Sequence, residues 1–264
     1  MCTLALLPYL EPLLTRPQQP DNLCGPYWIA LLLQVLGGIS TSAIEVAIAA
    51  QTILPNRAGT WTPPGAQSLR GEGYDQIPTV SAIEHCGTSL AGLMQATQKL
   101  SHGEFCLLPL QTPHWEVGLT QLWQLCQTRL DWQIVPLLNS HTGYFWGSQL
   151  SPAQLLGYLN SGQRNDISPP DWSVGHFALL AGQIRGTLAS LYAILDTYPQ
   201  LGWAGLHLQP SSVLAASLVR PDYQSQGGVA LFVSRAVRSH VEQAVIDRGF
   251  EVAVWDNGTP APAG

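Results

Sequence analysis

Gln18-Gln19-Pro20-Asp21-Asn22-Leu23-Cys24-Gly25-Pro26-Tyr27-Trp28 sets a cysteine at a loop-to-helix junction, with glutamine a few positions upstream. Tyr27 to Leu36 is an apolar run of helical character, Pro26 suits the first helical turn, and Gly37-Gly38 ends the pattern. The spacing predicts a helix over about 25–36 with Cys24 at its start. A thiol in that place meets unpaired N–H groups and the positive end of the helix dipole, both of which favour the nucleophilic thiolate.

Around this stretch, 264 residues give enough chain to bury a sizeable core, and a single domain spanning 1–264 is expected. Hydrophobic residues make up 46% and charged ones 11%, so the chain reads as a compact apolar globule and not as a disordered segment. The net charge of −6, with basic residues scattered, removes the footprint of a nucleic-acid binder. The five cysteines, at 2, 24, 86, 106 and 126, form no CxxC pair and no zinc-type spacing with histidine, so neither a disulfide framework nor a metal is indicated. No cofactor is implied. Residues 1–14 are apolar but lack a basic leading segment and carry Glu11, Pro8 and Pro12, which makes a poor signal peptide and too short a span for a membrane. A cytoplasmic protein without an integral membrane segment is the expectation; the oligomeric state stays open.

Residues 1–15 read as a loosely ordered lead-in and 41–52 as a second helix capped by Ser40 or Thr41. The Pro-, Gly-, Asn- and Thr-rich stretch 54–78 reads as a long surface loop of the kind that is usually functional or mobile. Helices are expected at 89–100, 116–130, 152–159, 213–219 and 239–248, and strands at 105–110, 132–138, 228–233 and 250–255. Residues 139–143 and 161–171 read as loops, and the tail from Asp256 as frayed.

Val174 to Gly182 and Ser190 to Asp196 form a hairpin pattern around Gly186. Antiparallel pairing brings the start of the first strand beside the end of the second, so His176 and Asp196 fall at one edge. Cysteine catalysis needs a thiolate, an imidazole to share its proton, a group that orients the imidazole, and donors for the oxyanion. Cys24, His176, Asp196 and Gln18 fill those four places.

With Gln18 six positions before Cys24, Cys24 followed by Gly25-Pro26, and His176-Phe177 opening an apolar strand, the chain resembles the papain-like peptidases that remove double-glycine leaders from bacteriocin precursors, and their soluble relatives. The resemblance covers about residues 16–36 and 174–203. It implies an α+β, papain-like cysteine peptidase fold, in which an N-terminal helical part carrying the cysteine packs on an antiparallel sheet carrying histidine and aspartate. It also implies Cys24 as nucleophile, His176 as general base and acid, Asp196 as imidazole orienter, and the Gln18 amide with the Cys24 N–H as oxyanion donors. Substrate contacts are expected from Gly25, Trp172, Gly175 and Tyr198, and the partner is a peptide or protein substrate. The family's aspartate is commonly followed by proline, whereas Asp196 is followed by Thr197-Tyr198-Pro199, and no transporter-type membrane helices follow in the sequence.

Cys86 also precedes a helix, but adjacent side chains on extended chain point to opposite faces, so His85 is badly placed as its base and Cys86 is assigned to cleft lining or packing. His141 and His207 have no matching partner and are assigned to loop or core. The competing expectation is a catalytically silent papain-fold module that binds a peptide or partner through the 54–78 loop and the cleft.

Overall fold

A computed structural model of the chain describes residues 3–163, 169–221 and 224–260. Cys2, the middle of the loop read at 161–171 (164–168) and the end of the tail (261–264) lie outside the described residues. The N-terminal half comprises β1 (Thr3–Leu6), a 3-10 segment (Pro8–Thr15), α1 (Cys24–Gly37), α2 (Ala43–Ala49), β2 (Leu54–Pro55), β3 (Thr79–Val80), α3 (Leu90–Leu100), β4 (Phe105–Gln111) and α4 (Trp115–Thr128). Then follow β5 (Val135–His141), α5 (Pro152–Ser161), β6 (Gly175–Arg185), β7 (Ser190–Leu195), β8 (Leu206–Pro210), α6 (Ser211–Val219), β9 (Gly228–Ser234), α7 (Arg238–Ile246) and β10 (Glu251–Val252).

One eight-stranded sheet runs in the order β10-β4-β9-β5-β6-β7-β8, with β1 added on β6. All its pairings are antiparallel, which makes the protein α+β. The 11-residue β6 is the longest strand and receives two partners on one edge, β5 along Gly175–Leu179 and β1 along Gly182–Arg185, while β7 follows the other edge. Strand side chains alternate between faces, so the unbroken burial of β5 and of Gly228 to Val233 means that both faces of the sheet are covered. Helix α1 lies on β6 and packs with α2 and α3, and α6 lies on β5 and β8 with α4 against it.

Local rules explain most elements. Gly38 takes the left-handed conformation that ends α1, and Ser151 with Gln154 forms a capping box ahead of Pro152 in α5. Ser42, with Glu45, caps α2, in place of the expected Ser40 or Thr41. Two larger corrections arise at the chain's ends. The lead-in is not loose: β1 pairs with β6, and Leu10 and Leu13 are buried. The expected last strand shrinks to Glu251–Val252, because Trp255 leaves the sheet to lay its ring over Gly228. Strand β5 runs on through Asn139-Ser140-His141, which the sequence reads as loop, and β8 was not expected at all. Among the described residues no helix is long and apolar enough to cross a membrane.

Candidate active site

Cys24 is the first residue of α1, and Leu23 before it supplies no side-chain cap to the helix N–H groups. Gly25 lets this end of the helix come close to β6 and α3: a Cβ there would lie 2.8 Å from Leu93 and 3.1 Å from Phe177. Gly25 is therefore buried in packing and does not line the cavity, unlike the substrate contact expected of it.

His176, second residue of β6, is 2% exposed. Its Nε2 lies 3.2 Å from Oδ1 of Asp196, which follows directly on β7, and this leaves Nδ1 as the ring nitrogen free to serve Cys24, with which the imidazole is electrostatically coupled. The Tyr198 backbone N–H donates to the same Oδ1 at 3.0 Å, fixing the carboxylate. The hairpin thus delivers what its strand ends promised.

Electrostatics couples the three groups. Burial alone would raise the Cys24 thiol, but the imidazole beside it, together with N–H groups of Phe177 and Gly25, outweighs burial and lowers its pKa. Burial alone would lower His176, yet Asp196 and Cys24 push it up to about 10. Burial would raise Asp196, and the imidazoles of His176 and His207 hold it well below the usual carboxylate range instead. Opposite shifts on Cys24 and His176 favour a thiolate–imidazolium pair over the range between the two shifted values.

Cys24 and His176 open into a cavity of about 330 Å³. Trp172 forms a wall, its ring 4.8 Å from His176 and 5.6 Å from Tyr198, both edge-on, while its Nε1 donates to the Trp61 carbonyl at 2.8 Å. Trp61, on the long 54–78 loop, has φ 63°, a costly conformation for an aromatic residue, and also lines the cavity. That loop is tied to the cysteine segment by Asp21: Oδ1 accepts from Leu69 N at 2.9 Å, Oδ2 from Gly59 N at 3.0 Å and from Ser68 Oγ. Gly175 and Tyr198 line the cavity.

Gln18 does not join them. Its Nε2 donates to the Gln67 carbonyl at 2.6 Å and its Oε1 accepts from Gln200 at 2.7 Å, so its amide is committed elsewhere. Gln19 takes the place on the cavity wall: it is 1% exposed and donates through Nε2 to the Tyr198 hydroxyl at 3.0 Å, with a second Nε2 hydrogen left over. Adjacent residues on extended chain face opposite ways, and spacing alone cannot choose between them.

Cys86 shares the cavity, but burial and then Glu84 push its thiol up and its Sγ donates to Ala82 O at 3.6 Å. His141 is a cavity residue too, held down at about 4 by burial and then by Arg220, hence neutral. The far rim is the tail that the sequence reads as frayed. Asn257 Nδ2 donates to Thr88 O at 3.0 Å, its Oδ1 accepts from Leu90 N at 3.4 Å, and Gly258 and Thr259 line the cavity. His207, assigned above to loop or core, reaches Asp196 from β8, its Nε2 3.5 Å from Oδ2. The signal for it was only an alternation over five residues, Leu206–Pro210.

The chain belongs to DUF6885, a family of unknown function, whose profile matches residues 10–256. No curated protein matches the chain.

Proposed function

We propose that this member of the DUF6885 family is a papain-like cysteine hydrolase or transpeptidase acting on a peptide amide, similar in its residues to the bacteriocin-processing peptidases. The observation that carries this reading is the unbroken polar chain from Cys24 through His176 to Asp196, opening at its sulfur end into a walled cavity.

The chemistry follows from the groups present. The Cys24 thiolate attacks the substrate carbonyl carbon and forms a C–S bond, and the carbonyl electrons move onto oxygen. The Cys24 N–H at the start of α1 and the Gln19 amide are the donors available to that oxyanion. The proton on His176 Nδ1 passes to the leaving nitrogen, the C–N bond breaks, and a thioester remains on Cys24. Neutral His176 then takes a proton from the incoming water or amine as its oxygen or nitrogen bonds to the thioester carbon; the oxyanion so formed collapses, the C–S bond breaks, and the thiolate–imidazolium pair is restored. Asp196 keeps the ring aligned through Nε2. The walls offer aromatic faces and polar groups such as Asn139 and His141 for an amide backbone, with one carboxylate, Glu84, at the rim.

Mass spectrometry of candidate precursor peptides incubated with wild-type protein and with Cys24→Ala tests the reading. Cleavage or cyclisation by wild type alone supports it. Labelling by a thiol-directed acyl probe that persists in Cys24→Ala and follows Cys86 overturns the assignment. Peptide that binds both proteins unaltered favours a silent binding module instead.

A further inference from the structure

We infer that His207 is a second positioning histidine of this site, holding Oδ2 of Asp196 through its Nε2–H, a proton position dictated by Gln209. The inference rests on the reading of Asp196 as the group that orients His176.

Register places the two residues together. His207 on β8 lies opposite Ile194 on β7, and Asp196 is two positions beyond Ile194, on the same side of the strand. The antiparallel pairing therefore carries His207 Nε2 to 3.5 Å from Oδ2, while His176 holds Oδ1 at 3.2 Å. Asp196 is 0% exposed, and among the described residues its Oδ2 accepts no hydrogen bond of normal geometry, with His207 Nε2 standing 3.5 Å away. A buried carboxylate oxygen without a donor is costly, and His207 is the group placed to supply one.

The proton's position is settled by Gln209. Its Oε1 accepts from the Trp146 N–H at 2.8 Å and its Nε2 donates to the Trp146 carbonyl at 3.0 Å, so two backbone groups fix which end of the amide is which. The remaining Nε2 hydrogen points at His207 Nδ1, 3.1 Å away. Nδ1 must then be the acceptor, and the ring proton sits on Nε2, facing Asp196. His207 is 3% exposed and its ring lies against Phe145.

Other charged and titratable groups converge on the same carboxylate. His176 faces it from β6, with Cys24 of α1 behind, and the Tyr198 phenol stands on the following loop. Arg16 approaches from the N-terminal segment, its Nη1 donating to Leu13 O at 3.0 Å and its Nη2 3.5 Å from Gly205 O. Gly205 O in turn accepts the Asp196 N–H at 2.7 Å, and a Cβ on Gly205 would collide with Arg16 at 2.2 Å. Asp196 is thus gripped by backbone and side chains, and His207 holds the one oxygen that the triad itself does not use.

Without His207, Asp196 loses a donor at Oδ2, its proton affinity rises, and it turns from its alignment with His176. The imidazolium then loses a fixed counter-charge and the Cys24 thiolate loses its imidazolium. The full chain is assayed for iodoacetamide alkylation of Cys24 across pH, as wild type, His207→Leu and His207→Gln. His207→Leu is expected to move thiolate formation to higher pH, so that alkylation at about pH 6 slows by about tenfold. His207→Gln, whose amide nitrogen reaches the same place, is expected to stay within about threefold of wild type. A folded His207→Leu that titrates like wild type, or a His207→Gln as impaired as His207→Leu, overturns the inference and marks His207 as a packing residue. Should His207→Leu not fold, Gln209→Leu must show a smaller shift in the same direction, and no shift overturns the inference. A wild-type Cys24 that titrates as an ordinary thiol is a different result: it removes the triad reading itself.

Discussion

Trp28, one turn after Cys24 on α1, donates its indole N–H to the carbonyl of Phe177, the residue next to His176, at 3.1 Å. The helix that carries the sulfur is thereby pinned to the strand that carries the imidazole, one turn from the sulfur and one residue from the imidazole. Trp28 is fully buried and the Arg16 guanidinium lies 5.3 Å from its ring centre, so the indole cannot tilt away.

Replacing Trp28 by Phe keeps most of the packing and deletes that hydrogen bond, leaving a buried carbonyl without its partner. A loss of about 1–3 kcal/mol in stability is expected by urea unfolding. Cys24 alkylation near neutral pH is expected to slow as well, because helix and strand are free to part. An unchanged alkylation rate in a destabilised Trp28→Phe protein would show that the pin is only structural.

The pH dependence follows from the signs of the shifts. His176 is raised to about 10, so what it adds to stability is fully present below its ordinary 6.5 and is lost as pH rises through about 10. Cys24 is lowered, so its contribution is present above the ordinary 9.0 and is lost as pH falls through its lowered value. Asp196 is lowered too, with a contribution present above 3.8 and lost as pH falls further. Cys24 should therefore be alkylated at a lower pH than an ordinary thiol. Cys86, Cys106 and Cys126, whose thiols burial pushes up, should resist. Peptide mapping of the labelled protein reports which sulfur reacted.

The neighbouring glutamines give a paired test. If the Gln19 amide serves the oxyanion, Gln19→Ala should cut turnover of a peptide cleaved by wild type by about 10²–10³. Gln18→Ala, which removes contacts to Gln67 and Gln200 only, should cost little. Equal losses in both variants would place the donor elsewhere.

Asp21 is buried, with three donors on its carboxylate. Asp21→Ala strands those donors and should cost about 2–4 kcal/mol in unfolding free energy. Limited proteolysis is expected to begin within residues 57–70, where the loop has lost its clamp. Protection of that loop equal to wild type would mean that other contacts hold it.

The sequence exposed α1 because Pro26, the apolar run and Gly37-Gly38 are all local signals, and the hairpin because its two strands are adjacent in the chain. What it concealed depended on distant partners. The lead-in becomes ordered only by pairing with β6, far along the chain. Asn139 and His141 look like loop residues because they are polar, yet they end a central strand where the cavity replaces solvent. The choice of Gln19 over Gln18 is a matter of which way the chain faces, and the Thr197 carbonyl decides it by accepting the Gln19 N–H at 3.2 Å. His207 carries no motif and gains its meaning from register with β7.

The rim built by Asn257 also sets how the groove ages. Asn257 precedes Gly258, and an asparagine before glycine is the chain's most vulnerable kind of site for slow loss of ammonia, since a small neighbour lets the backbone nitrogen reach the side-chain carbonyl. The Gly258 N–H is occupied, donating to Asp256 Oδ1 at 2.8 Å, which restrains that attack while the rim is seated. Once converted to a carboxylate, residue 257 would face the Thr88 carbonyl as an acceptor meeting an acceptor, and the wall would come away from its seat. Old protein should therefore differ from fresh protein in the accessibility of Cys24 before it differs anywhere in the sheet.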